Sequence, residues 1–302
     1  MTSEPMGQES KRNFPSTKHL SVRLRDLWQS AGQNGMSSDQ CATKQKQELD
    51  EYAVIWTRAL LLPGERDLAT STLVEIGRWR GVSDLALVRR RCEGALHALK
   101  LRWGQIVQEV GKGEVEEYYN AADDCIEELM WWHTLGEDNS PLAYVAALEF
   151  ALLAHCRTYL DFGSGVGSGA LLFRSHGFDV TLADISSVML SFCKYRFAER
   201  RAEAGFVDLK ESMLPEAAFD FITAMDVFEH LVDPVGTVDS LDRCLKPGGY
   251  IYGRFASEDD QDRPQHIVQD FRPVFERFAE LGFKEIFRDE WLWGHQVFQK
   301  AT

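Results

Sequence analysis

The segment Tyr159-Leu160-Asp161-Phe162-Gly163-Ser164-Gly165-Val166-Gly167-Ser168-Gly169 places four glycines at alternate positions between an apolar run and a helical one. Glycine lets the backbone turn sharply there, and it removes the Cβ atoms that would hold a nucleotide-like ligand away. Asp184 follows Gly163 by 21 residues, the distance at which a carboxylate at the end of the next strand can accept hydrogen bonds from both hydroxyls of a ribose. The dinucleotide fingerprint G-x-G-x-x-G is not met. Counted from Gly163 its sixth position is Ser168, and counted from Gly165 the third glycine comes one residue early. Asp161 attracts a ligand that carries an ammonium group and repels a pyrophosphate.

Two histidines stand where an open α/β sheet places its reacting centre, past the carboxyl ends of the strands. His230 follows the fourth expected strand and His266 the fifth, and imidazole is the side chain best suited to proton transfer near neutral pH. The competing reading of Glu229-His230 is a loop brace. The acids Glu258, Asp259, Asp260 and Asp262 read as a solvated turn, and no metal is expected. Tyr118, Tyr119, Trp131, Trp132 and His133 are expected on one long helix, with Trp291, Trp293 and His295 at a terminal hairpin. Such rings can face a cation and exclude water, or they can pack two halves of the chain together. For the substrate side we single out Tyr118, Tyr119, Trp131, Trp132, His133 and Trp293.

The elements that must carry these residues fall into two textures. From about 48 to 155 the apolar spacing is helical: Leu85, Val88, Cys92, Leu96 and Leu99 step by three or four. From 156 to the end, short β-rich runs alternate with helices, which predicts a mostly parallel sheet covered on its faces. Strands are expected over 157–162, 178–183, 205–208, 219–225, 250–255, 283–291 and 296–300. Residues 1–47, polar with one apolar patch at Leu20 to Trp28, read as a mobile tail with at most one helix. The expected division is thus a tail over 1–47, a helical domain and lid over 48–155, and a ligand-binding sheet domain over 156–302.

The whole chain sets outer bounds. Its 302 residues include 33 Lys and Arg against 47 Asp and Glu, a net charge of −14, which argues against a nucleic-acid or membrane partner and for a small molecule. Hydrophobic residues at 44% and charged residues at 26% exclude the disordered and fibrous classes. Six cysteines lie more than thirty positions apart, so neither a zinc site nor a disulfide framework is read. Reduced thiols and a cytoplasmic location are the expectation.

The glycine segment with Asp161 resembles the first motif of class I S-adenosylmethionine-dependent methyltransferases, acid-x-G-x-G-x-G. Asp184-Ile185-Ser186-Ser187-Val188-Met189-Leu190 is similar to the second motif of the ubiquinone and menaquinone methyltransferase group. Phe219 through Leu231 is similar to that group's strand-four motif, and Leu245-Lys246-Pro247-Gly248-Gly249 to the turn before its fifth strand. The resemblance spans about 157–302. It implies a Rossmann-like seven-stranded sheet, mostly parallel with the last strand antiparallel, behind an all-helical N-terminal domain. It also implies S-adenosylmethionine as cofactor and methyl transfer to a small, partly apolar metabolite, in a site closed by the N-terminal helices.

By position, Gly163, Ser164, Gly165 and Gly167 would wrap the methionine part, with Asp161 near its amino group. Asp184 would hold the ribose, Ile185 and Met189 would flank the adenine, and Met225, Asp226 and Val227 would floor the site. The slot where the family carries an acid toward the adenine amino group is Lys210 here, with Asp208 and Glu211 beside it. His230 and His266 are the candidates for chemistry. A protein that binds the cofactor without turnover, as a regulatory subunit or scaffold, would show the same binding motifs.

Overall fold

The computed structural model describes residues 19–31, 35–257 and 262–302. Five parallel strands come first: β1 (Thr158–Phe162), β2 (Asp179–Asp184), β3 (Gly205–Asp208), β4 (Phe219–Ala224) and β5 (Leu245–Arg254). The hairpin β6 (Lys284–Arg288) and β7 (His295–Gln299) completes a seven-stranded sheet of order β3-β2-β1-β4-β5-β7-β6, with β7 antiparallel to β5. This is the Rossmann-like sheet expected from the sequence, and its order reverses at β1. Ligands bind at such a reversal, where neighbouring connections leave toward opposite faces and open a crevice.

β5 begins earlier than expected. Leu245 already pairs with Phe219, and the Lys-Pro-Gly-Gly turn is absorbed by a register shift before Tyr250 pairs with Phe221. Gly248, at φ 75°, supplies the left-handed residue that the irregularity needs.

Helices α8 (Ser168–Ser175), α9 (Ser187–Glu199), α10 (Pro234–Cys244) and α11 (Arg272–Glu280) belong to the sheet half. The N-terminal half supplies α1 (Leu20–Ala31), α2 (Ser38–Leu60), α3 (Leu68–Arg80), α4 (Leu85–Ile106), α5 (Lys112–Ala121), α6 (Asp124–Trp132) and α7 (Ala143–Leu153). α7 is buried on nearly every side, as a helix apolar at every position but Glu149 must be, and packs with α2, α8 and the sheet in one core. A second core joins β4 and β5 to α10 and α11. A third joins α3 to α6 with α9, so the helical half and the sheet share their interior.

Two expectations change. The polar stretch before residue 48 is not a tail from His19 onward. Leu20 and Leu24, one helical turn apart, are fully buried, and Arg23 between them reaches Glu48 at 2.9 Å and Glu149 at 3.0 Å. Only 1–18 and 32–34 of that stretch lie outside the described residues. The aromatic helix expected across 118–133 is two helices, because Ala122 leaves helical geometry at ψ 63°. The Arg80 guanidinium fixes the break, bonding the carboxylate of Asp123 at 2.6 Å and its carbonyl at 2.9 Å.

All six cysteines are buried and unbridged. No described helix is long and apolar enough to cross a membrane.

Candidate functional site

A cavity of about 870 Å³ opens past the carboxyl ends of β1, β2, β4 and β5 and is roofed by α5 and α6. One wall is built from the turn after β1. Gly163 and Gly165 have φ of 66° and 49°, which side-chain-bearing residues adopt only at a cost. A Cβ on Gly163 would stand 2.6 Å from Val227, and one on Gly165 would stand 2.9 Å from Leu129 of α6. The loop therefore lies pressed between the β4 loop and the helical half. Ser164 Oγ is buried without a hydrogen-bond partner, an unsatisfied group of the kind a polar ligand completes.

Asp184 ends β2 with its carboxylate at the cavity wall. One oxygen accepts from the Gly165 N–H at 2.9 Å and the other from the Ser186 N–H at 2.8 Å. Burial pushes its pKa up to about 6 against the pull of these bonds. Each carboxylate oxygen keeps a second lone pair, so hydroxyl donors can still be accepted. Ile185, Met189, Met225, Asp226 and Val227 also line the cavity. Asp226 holds φ 51° just past β4 and pairs with Arg254 at 3.2 Å.

Other residues singled out from the sequence lie elsewhere. Asp161 is 1% exposed and does not line the cavity. It lies beneath the loop, accepting from the Ala170 N–H at 2.9 Å and the Thr223 hydroxyl at 3.1 Å, which ties the start of α8 to β4. Burial raises its pKa to about 7. Gly167 is a packing position, where a Cβ would stand 2.8 Å from Leu182 and 2.9 Å from Cys193. Asp208 and Lys210 also stand outside the cavity. Lys210 Nζ donates to the Ile185 carbonyl at 2.6 Å and to Asn120 at 2.9 Å, so the lysine in the acid slot fastens the β2 loop to α5.

Tyr118, Tyr119, Trp132, His133 and Trp293 also line the cavity, and Trp131 does not. Trp131 turns away on α6 and packs under the Arg89 guanidinium at 5.1 Å. His133 bonds Ser168 at 2.9 Å, and burial lowers its pKa to about 3, which leaves it neutral and structural. The rim is drawn in from two sides. Trp132 donates to Asp138 at 3.0 Å, and Trp293 of the β6–β7 turn donates across to Asn139 at 3.1 Å.

His230 and His266 meet with ring centroids 4.9 Å apart. His230 Nδ1 lies 3.0 Å from the Gln265 carbonyl, so it carries the proton and Nε2 is an acceptor. Burial lowers its pKa to about 4. The brace reading and the cavity position thus both hold for this residue.

Sequence reasoning passed over Glu128 and the two arginines. Glu128 faces the cavity beside Cys125, Leu129 and Trp132, a spacing of three, one and three that marks one helix face. Arg263 meets Glu128 at 3.2 Å. Arg254 and Arg263 carried no local pattern in sequence. Of the acidic turn, Asp262 bonds Lys100 at 2.7 Å, and 258–260 lie outside the described residues.

Comparison with known proteins adds relatives to this geometry. A ubiquinone biosynthesis O-methyltransferase of Alkalilimnicola ehrlichii is 30% identical over 130 residues, covering 40% of this chain and 52% of the relative. One from Vibrio cholerae is 26% identical over 153 residues, covering 48% and 60%. The chain thus spans about half the length of the curated relatives it matches. Among solved structures, a phosphoethanolamine N-methyltransferase of Haemonchus contortus holding S-adenosyl-L-methionine is 22% identical over 43% of this chain and 35% of its own, with a TM-score of 0.36. The N-methyltransferase NodS of Bradyrhizobium japonicum is 16% identical over 53% and 95%, with a TM-score of 0.43. A family model described as a methyltransferase domain matches residues 118–289. With more than half of its length matched, this chain belongs to that family, the class I S-adenosylmethionine-dependent methyltransferases.

Proposed function

We propose that the protein transfers a methyl group from S-adenosylmethionine to a small, partly apolar acceptor, in a site that α5 and α6 close. One observation carries this reading. A single cavity is lined both by Gly163, Ser164, Gly165 and Asp184 and by the rings of Tyr118, Tyr119, Trp132 and Trp293, so a cofactor and an acceptor can share one enclosed space.

The bound cofactor would supply a methyl carbon already activated by positive sulfur. The chain's own work is then to hold, align and keep dry. Asp184 accepts the ribose hydroxyls, Ile185 and Met189 border the adenine, and Ser164 and the glycines receive the methionine end. Asp161 acts from beneath, holding the loop in shape. The aromatic rings of α5 and α6 exclude water and face the positive centre favourably. Leu129 against Gly165 supports reading 113–155 as the cover of the active site and not as a separate module. Residues 48–155 are then a lid continuous with the sheet half at 156–302.

The test is calorimetric titration with S-adenosylhomocysteine. Asp184→Ala removes a charged acceptor for two hydroxyls, with such bonds worth roughly 1.5 to 3 kcal/mol. Affinity should fall about tenfold to a hundredfold while the fold persists. Unchanged affinity, or NAD binding more tightly than the homocysteine ligand, would overturn the reading.

A further inference from the structure

Around the middle of the cavity, three carboxylates face two guanidiniums. Glu128 pairs with Arg263 and Asp226 with Arg254, each at 3.2 Å. The third carboxylate, Glu229, is 2% exposed, lines the cavity, and leaves Oε2 without a hydrogen-bond partner. The arginines pull its pKa down, but burial and the nearby Asp226 outweigh them and hold it well above the usual carboxylate range. His230 adds no compensating charge, being neutral. That raised pKa leaves Glu229 uncharged while the cavity is empty, and a cation placed beside it would draw its proton off, since among the described residues three ionised carboxylates would then meet two guanidiniums and that cation.

Such a cation has a shaped place to sit. One donor atom each from Glu229, His230 and His266 lies within 4.8 Å of the others. Acceptors around an ammonium at about 2.8 to 2.9 Å stand roughly 4.6 Å apart in a tetrahedral arrangement. Three atoms within that span can meet one ammonium together. The His230 ring, anchored through Nδ1 to Gln265, presents Nε2 as one acceptor. Tyr119, with its ring centroid 6.2 Å from that of His230, adds an aromatic wall.

We propose that the methyl acceptor is an amine, received as its ammonium by Glu229 together with His230 and His266. The inference rests on the methyl-transfer reading and names its substrate class. The ammonium gives one proton to the Glu229 carboxylate, which frees the nitrogen lone pair. That pair forms the new N–C bond, the S–C bond breaks, and its electrons remain on sulfur as a neutral thioether. The product leaves as the N-methylammonium ion, and the Glu229 proton passes to solvent. Asp184 and the glycine loop serve the cofactor, which leaves Glu229 to the acceptor.

Phenethylamine and its isostere 2-phenylethanol test this, titrated into the full-length protein with and without S-adenosylhomocysteine and then offered with S-adenosylmethionine. The amine should bind and be N-methylated, and the alcohol should do neither. Glu229→Gln should raise the KM for the amine about tenfold or more, as loss of a charged hydrogen bond implies, with S-adenosylhomocysteine affinity unchanged. If that variant does not fold, the amine and alcohol comparison on the wild-type protein decides alone. Absence of amine binding, or methylation of the alcohol in its place, overturns the amine proposal and leaves the methyl-transfer reading intact. Stoichiometric Zn²⁺ or Mg²⁺ binding that requires Glu229, with no competition by the amine, also overturns it. Failure of S-adenosylhomocysteine to bind would instead strike the methyl-transfer reading, while amine binding to the cofactor-free protein still reports on the Glu229 site.

Discussion

Asp161 shows how a motif residue can be placed correctly along the chain and still act differently from its expected role. Strand alternation turns its side chain toward α8 and away from the cavity, where it accepts from Ala170 and Thr223. A buried acid whose pKa is raised to about 7 keeps its proton in the folded protein over a range in which the unfolded chain, near 3.8, has already lost it. The folded state then binds more protons, so stability falls as pH rises from about 4 through about 7. The buried neutral His133 and His230 act in the opposite sense below about 6.5, so the Asp161 contribution is read as a difference between two proteins. Between pH 5 and pH 8 the melting temperature of the wild type without cofactor should fall relative to that of Asp161→Asn, which cannot ionise. Thermal unfolding of both proteins across this range checks the sign, and parallel curves would show that Asp161 is ionised throughout.

The elements were unevenly legible. β3 occupies 205–208 as read from sequence, and the other strands differ by a few residues at their ends, because β-rich runs bounded by turn residues leave little choice. The break between α5 and α6 was not legible. Nothing near Ala122 is a helix breaker by type, and what fixes the kink is Arg80, far away in sequence, bonding Asp123 and Glu127. Glu127 is only 4% exposed in its side chain, so Arg80→Ala would leave a buried charge without its partner, at a cost of about 3 to 5 kcal/mol. The expected outcome is a loosened α6 above the glycine loop. In the wild-type protein, S-adenosylhomocysteine should protect amides between 113 and 135 from hydrogen exchange. In Arg80→Ala that protection should shrink while protection at 157–184 persists. Equal protection in both proteins would mean that α6 is held by its apolar face alone.

Across the whole molecule, the line between tail and body lies earlier than composition suggests. The stretch 20–31 looks polar on average, and averaging hides that its few apolar residues share one face. Leu20 and Leu24 enter the same core as Tyr52, Trp56, Leu148 and Tyr252, and His19 reaches the Tyr252 hydroxyl on β5 at 3.1 Å. The cavity's two arginines were hidden for a related reason: their partners come from other elements, and only the fold brings them together. Arg23 is the strongest case. It bonds Glu48 on α2 and Glu149 on α7, and Tyr52 donates a short hydrogen bond to the same Glu149, whose side chain is 1% exposed. One guanidinium thus fastens three helices together. Arg23→Ala should destabilise the protein by about 3 to 5 kcal/mol, the range for removing one partner of a buried pair. Arg23→Ala combined with Glu149→Gln should recover part of that loss, because the second change removes the orphaned charge. Denaturant unfolding of the two variants measures this directly. S-adenosylhomocysteine affinity, read below the unfolding transition, should stay within about twofold of wild type, since neither residue lines the cavity. A single variant no less stable than wild type would mean that α1 contributes through Leu20 and Leu24 alone.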